Sequence, residues 1–504
     1  MARLTGRIGD APAILLHEEV LEPQFSHDVR HLLPHYLHIE KVLLVEYQRM
    51  GILTESETRV IARVLDGIEP GELTADPHEN MSDLSFGIER LVSRANPAPA
   101  WHVDRSRNDA QACAQLMFGR ERMLRIAGEL LACAAAAHEL AAGHTEAPMP
   151  GYTHLQAAQV ITPGFYLSAL VEHLLHSARR LLATYDHAGR SPLGSGAMAG
   201  QELPWDRDAM AGLLGFTGPV THALASVASR AWLLELAGEC ATSATGLNRF
   251  VTDLMTWAGG RHGLVELPDE LAGISSAMPQ KKNYPIFERI RGKTAHLLSW
   301  YVDASAAQRG TPYSNTVEAA KEGGAQLVTA TQSLESALRL LTLALRHMIF
   351  PAERGLAGCT GEFLGGFSLA NRLTLEEGVP WRTAQVVAGR YITAAAAASE
   401  DGSAGHPGQS RNGSAGAGLL AAIAREHGHP LRDPGGLLAD LYTPEAELRR
   451  KRSAGSTAPE SVRRMLAGQE RELAALEQEW TARRDVARSA PARVNELLGL
   501  GEGS

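Results

Sequence analysis

Residues 273–283 read Gly273-Ile274-Ser275-Ser276-Ala277-Met278-Pro279-Gln280-Lys281-Lys282-Asn283, and the rest of the chain becomes legible outward from them. A glycine followed by small side chains lets backbone approach a ligand closely, while Lys281 and Asn283 add a cation and amide donors suited to a carboxylate. Pro285 suits the first turn of a helix over about 286–308, so the loop leads into a helix N-terminus, where backbone donors and the dipole favour anions. On composition alone, an ordinary surface loop with solvated lysines is the commoner explanation of such residues.

Charge and cysteine usage narrow the class. The 504 residues carry 57 acidic and 48 basic side chains, with no long basic run or aromatic-basic interleaving, which argues against a nucleic-acid scaffold. The N-terminus lacks an apolar core ahead of a small-residue cleavage site, and no apolar run reaches membrane-spanning length, so a cytoplasmic location away from membranes is expected. Cys113, Cys133, Cys240 and Cys359 are too far apart for a metal cluster or a disulfide framework and read as small core residues.

In chain order, helices are expected over about 35–50, 55–65 and 81–93. Residues 101–109, Trp-His-Val-Asp-Arg-Ser-Arg-Asn-Asp, then form a second candidate site or, more plainly, a solvated helix entry capped by Asn108 or Asp109. Long apolar-periodic stretches follow at about 110–142, 156–185, 222–258, 286–308 and 318–349. Their wide apolar faces suit a packed bundle whose helices also meet other subunits. Three domains are expected: an N-terminal helical one over 1–110, a central long-helix bundle over 111–352, and a small C-terminal helical one over 353–504. The last carries a Gly/Ser-rich flexible insertion near 400–418 and a closing helix over about 460–488.

Three stretches taken together resemble the argininosuccinate lyases, within the aspartase, fumarase and adenylosuccinate lyase superfamily. They are His102–Asp109 with its Arg-Ser-Arg-Asn-Asp core, 149–156 (Met-Pro-Gly-Tyr-Thr-His-Leu-Gln), and 275–283 (Ser-Ser-Ala-Met-Pro-Gln-Lys-Lys-Asn). The resemblance covers roughly residues 80–395. It implies a mainly α, aspartase/fumarase-like long-helix bundle of three domains, forming a homotetramer around a central helical core with each site shared among three subunits. It also implies elimination of fumarate without cofactor or metal. Ser275 would be the base, Lys281 and Asn283 would meet the charge on the succinyl carboxylate, and His154 would bind substrate with a possible share in proton transfer, oriented by Glu288. Arg107, Asn108 and Thr153 would bind substrate, Met278 and Gln280 would join them from the loop, and Tyr313 and Lys321 would grip the amine. Without the family, a lone histidine such as His154 is more often structural.

The chain also departs from that pattern. Val103-Asp104 replaces Thr-Gly before Arg-Ser-Arg-Asn, and Ile274 replaces a glycine. Ser85 stands where a substrate-contacting histidine is expected, Glu40 lies near an expected serine, Glu318 replaces a glutamine, and around residues 222–232 only Arg230 survives from an acidic motif. The succinyl end reads as retained and the amine end as rebuilt, so the expected substrate is an N-substituted aspartate other than, or in addition to, argininosuccinate. The standard activity yielding arginine and fumarate is the alternative, and a catalytically silent binding or structural protein on the same scaffold is the reading from another class.

Overall fold

Caps and apolar periodicity set the boundaries of the helices, and the helices set the molecule. The computed structural model describes residues 10–78, 83–360, 362–400 and 413–501. Helix α1 spans Glu22–Arg49, starting well before the expected residue 35 and running through Pro34. A proline there removes one intrahelical hydrogen bond. Burial of Leu32, Leu33, Tyr36 and Ile39 on the core side holds the helix through it. Helix α2, Glu55–Asp66, opens on a capping box in which Thr54 and Glu57 satisfy each other's backbone donors. Helix α3 is Leu84–Ser93, with Asp83 as its N-cap.

The long helices are α4 (Arg107–Ala142), α5 (Pro163–His187), α6 (Ala231–Ala258), α7 (Pro285–Gln308) and, after a short α8 (Val317–Ala320), α9 (Leu327–His347). Three expected stretches were drawn too long. Residues 149–153 and 156–161 pair as the antiparallel strands β1 and β2, and α5 begins only after Thr162 caps it and Pro163 fills its first position. The stretch over 222–258 breaks at Ser229 and Arg230. The one over 318–349 breaks between α8 and α9, where Gly323 and Gly324 remove side-chain support for a helix.

Side-chain pairs between helices give their directions. Gln115 meets Ala320, Arg122 meets Thr331 and Glu335, and Glu129 meets Arg339, so α4 and α9 run parallel. Tyr166 meets Asp253 and Arg180 meets Glu239, so α5 and α6 are antiparallel. Asn248 meets Thr294 and Gly238 faces Tyr301, so α6 and α7 are antiparallel as well. The bundle therefore has one end bearing the start of α4, α6 and α9, and a far end bearing the β1–β2 hairpin and the start of α5 and α7.

One apolar cluster draws residues from Phe25 to Leu498, taking in the closing helix Pro459–Leu497, which runs through Pro491 and packs Trp480 against Tyr185. A second cluster is confined to residues between Leu369 and Leu441, where Gly378, at φ +75°, ends the helix Gly366–Glu377. Of the expected flexible insertion, residues 401–412 lie outside those described. Glu400 closes the helix Trp381–Glu400 and residues 413–418 open the helix Gly413–Glu426, so the ends of that stretch are helical. The four cysteines are buried and free. Among the described residues no helix is long and apolar enough to cross a membrane. On α7, Leu298 and Val302 remain 60% and 59% exposed, and with Tyr301 they form a stripe at i, i+3, i+4 spacing that the same chain leaves uncovered.

Candidate active site

At the far end of the bundle, Gly273–Ile274 pairs with Lys282–Asn283 as a short antiparallel ladder, and residues 275–281 form the loop it closes. Inside the loop the Ser275 hydroxyl oxygen accepts from Met278 N–H at 3.0 Å, and Lys281 N–H donates to Met278 O at 3.1 Å. The two lysines are unlike each other. Lys282 Nζ donates to Leu267 O at 2.8 Å and pairs with Asp269 at 2.8 Å, which raises its pKa. Lys281 is exposed and its ammonium meets no partner among the described residues. Pro285 follows at the first position of α7, with Glu288 exposed in the first turn. Met278 and Gln280 are exposed on the loop.

The same end carries Thr153 and His154. In the β1–β2 hairpin Thr153 faces Gln156, and the two turn residues His154 and Leu155 have φ of 52° and 60°. Positive φ at both positions is the twist-matched two-residue hairpin turn, which glycine and asparagine adopt at less cost. His154 is thus projected at an exposed tip on strained backbone, and it makes no hydrogen bond with Glu288 within the chain. Beneath the hairpin lies an open cavity of about 980 Å³ lined by Tyr152, Tyr166, Trp257 and His262.

Arg107, Asn108, Ser85, Tyr313, Glu318 and Lys321 lie at the opposite end. The cap of α4 is neither Asn108 nor Asp109 but Ser106, whose hydroxyl accepts from Asn108 N–H at 3.2 Å. Asn108 is then free to donate its amide to Ala197 O at 3.2 Å, and the Asp109 carboxylate accepts from Gly194 and Gly196 N–H at 2.9 and 3.0 Å, tying down the 192–200 loop. Arg107 donates to Asp83 at 3.1 Å and lies 4.9 Å from the centroid of the Phe86 ring. Ser85 is buried near the hydroxyl of Tyr36. Lys321 Nζ pairs with Asp28 at 2.8 Å, the lysine side chain 18% exposed and the aspartate 3%, while Gln24 holds the other carboxylate oxygen at 2.8 Å. Glu318 and Tyr313 are exposed.

Two departures have structural causes. Asp104 sits at φ +56°, the conformation a glycine would take without strain, and its carboxylate accepts from Glu202 N–H, Leu203 N–H and Trp205 Nε1–H at 3.1, 2.8 and 2.9 Å. Glu40 forms a two-pronged ion pair with Arg105, both buried, so its carboxylate is committed to the protein interior rather than to a ligand.

The chain therefore separates its candidate residues into two groups. Helix α4 has 36 residues, and at 1.5 Å per residue its ends are about 54 Å apart. Ser275, Lys281, Asn283, Thr153, His154 and Glu288 belong to one end, whereas Arg107, Asn108, Ser85 and Lys321 belong to the other. Sequence reasoning missed Asp28, Tyr36 and Gln115, which organise the second group. Their only signal is position on helices with polar residues among apolar neighbours, which most such residues share.

The family model described as "Lyase" matches residues 47–298. The chain is 33% identical over 353 residues to the argininosuccinate lyase of Aquifex aeolicus (strain VF5), covering 68% of this chain and 76% of that protein. It is 31% identical over 472 residues to the argininosuccinate lyase of Methylococcus capsulatus (strain ATCC 33009 / NCIMB 11132 / Bath), covering 90% and 92%. Among solved structures, a variant of EDDS lyase with bound fumarate superposes with a TM-score of 0.82 at 23% identity, covering 98% of this chain and 96% of that one. A class II fumarase from Schistosoma mansoni superposes with a TM-score of 0.64 at 16% identity, covering 82% and 90%. At these identities the two structures speak for the fold alone.

Proposed function

We propose that this chain, which belongs to the argininosuccinate lyase family, is a carbon-nitrogen lyase that releases fumarate from an N-substituted aspartate. In that reaction a base takes a proton from the carbon beside one carboxylate. The electron pair left behind forms the carbon-carbon double bond, and the bond to nitrogen breaks with its pair staying on nitrogen, which then takes up a proton. Charge accumulates on the carboxylate before nitrogen leaves, so preorganised donors around that carboxylate carry most of the stabilisation.

The observation that supports this reading best is the 273–283 hairpin. It holds Lys282 fast and leaves Lys281 without a partner among the described residues, beside Ser275 and Asn283 and a short distance ahead of a helix N-terminus. In this reading Ser275 is the base, Lys281 and Asn283 receive the developing charge, and His154 binds substrate with Thr153. Arg107 and Asn108, from another subunit, hold the far carboxylate. A homotetramer of antiparallel chains would bring the two ends together, with sites shared among three subunits. The uncovered stripe on α7 is the kind of face such a core would bury.

The leaving amine is proposed to differ from that of the standard enzyme. Three observations favour this: Lys321 is already neutralised by Asp28, Ser85 is buried against Tyr36, and Glu318 places a carboxylate on the exposed α8 turn. Following fumarate absorbance while the purified protein is incubated with argininosuccinate and a panel of other N-substituted aspartates tests the reading. Release from at least one of the panel at a higher rate than from argininosuccinate is expected. Release from none would leave only the silent scaffold, and argininosuccinate as the best substrate would restore the standard activity.

A further inference from the structure

A cavity of about 290 Å³ opens at the end of the bundle that carries Lys321, between α1, α4 and the starts of α6 and α9. Its walls mix apolar side chains, Leu32, Phe118, Trp232 and Leu233 among them, with the charged Glu19, Asp28, Lys321 and Glu322. Arg230 also lines it, only 3% exposed, at the break that starts α6. Its Nε donates to Gln115 Oε1 at 3.2 Å, and its Nη1 donates to the carbonyls of Val227 and Ser229 at 3.0 and 2.9 Å. Gln115 is fixed in turn by donating to Ala320 O at 2.6 Å, so the guanidinium is held from behind. Its Nη2 is buried and has no hydrogen-bond partner, and no carboxylate among the described residues pairs with it. Burial brings its pKa down to about 10, which leaves it charged at neutral pH.

A buried cation without a counter-ion is costly, and an unfilled guanidinium donor at a cavity wall is matched by the planar acceptor of a carboxylate. The other cation of this cavity, Lys321, already has a carboxylate partner in Asp28. We infer that Arg230 is a substrate-binding residue that holds a carboxylate in this cavity, so that recognition of negative charge at this end has passed from Lys321 to Arg230. The inference rests on the lyase reading for what brings the carboxylate there: it belongs either to the succinyl group or to the amine that leaves.

Calorimetric titration of the full chain separates the two sources. The probes are succinate, for the succinyl group, and 3-phenylpropanoate with its uncharged amide, for a carboxylate on an apolar body. Each is measured with the unsubstituted protein, Arg230→Gln and Arg230→Lys, with thermal unfolding to check that the variants fold. A loss of tenfold or more in succinate affinity in Arg230→Gln assigns the succinyl carboxylate. A preference of tenfold or more for 3-phenylpropanoate over its amide, lost in Arg230→Gln, assigns the amine side. In either case Arg230→Lys should retain part of the affinity, since it keeps the charge but not the planar fork. The inference is overturned if neither probe binds, or if both bind equally well to the protein and to Arg230→Gln. Because these titrations need no turnover, failure to release fumarate would remove the lyase reading without deciding this one.

Discussion

Ser275 presents the sharpest chemical problem in the molecule, since a hydroxyl is a poor base unless its anion is stabilised by nearby charge and by exclusion of water. Among the described residues of one chain its oxygen accepts only from Met278 N–H, and the loop is open to solvent. Ser275→Ala should reduce fumarate release at least about a thousandfold while leaving succinate affinity and subunit assembly unchanged, measured by absorbance, calorimetry and sedimentation. The neighbouring lysines give a second contrast. Lys281→Ala should lower turnover by about a hundredfold or more, as loss of a donor aimed at developing charge does, whereas Lys282→Ala should act through the fixing of the loop and cost far less. Equal losses would mean that the pairing of Lys282 with Asp269 and Leu267 does not divide their roles. In the sequence, Arg-Ser-Arg-Asn, Tyr-Thr-His and the 275–283 motif mark the candidate positions by chemistry that few other sequences share. What was not legible was who already holds whom. Glu40 is committed to Arg105 and Lys321 to Asp28, and those partners lie 65 and 293 residues away in sequence, where no local pattern reaches.

The elements follow local signals closely where caps are present. Thr54 with Glu57, Thr162 with Pro163, and Pro285 all start helices at the positions their chemistry favours. The second strand of the 149–161 hairpin, residues 156–161, reads as helix in the sequence because its alanines and valine fit either period, although the Thr162-Pro163 pair marks the true start. Helix α1 also carries a pH response. Its His38 is buried with Nε2 hydrogen-bonded to Leu213 O at 3.1 Å, and burial takes its pKa from 6.5 to about 4. The folded state therefore favours the neutral ring. This contribution to stability is complete above the unfolded value of 6.5 and is lost as pH falls from there to about 4. The loss amounts to roughly 3 kcal/mol at most. Thermal unfolding between pH 7 and pH 4 should show Tm falling over that window, and His38→Gln, which retains a donor for Leu213 O, should flatten part of the fall. An unchanged slope would place the acid sensitivity elsewhere.

At the scale of the whole molecule, the length of α4 is decisive, because a helix of 36 residues spans about 54 Å and Arg107 opens it at the end opposite the Ser275 loop. No rearrangement of loops closes that distance, so a site that uses both must take them from different chains. The long apolar stretches made a helix bundle readable in the sequence; the oligomer they also suggest is a proposal, with which the exposed Leu298, Tyr301 and Val302 are consistent. The geometry of assembly was not readable, since it depends on which helix ends face one another. The most direct test mixes two inactive proteins. Arg107→Ala and Ser275→Ala chains, denatured together in equal amounts and refolded, should recover activity approaching about a quarter of that of the unsubstituted protein, because random assembly gives some sites an intact residue from each parent. Recovery of none, with both variants folded and assembled, would contradict a site built from opposite ends of neighbouring chains.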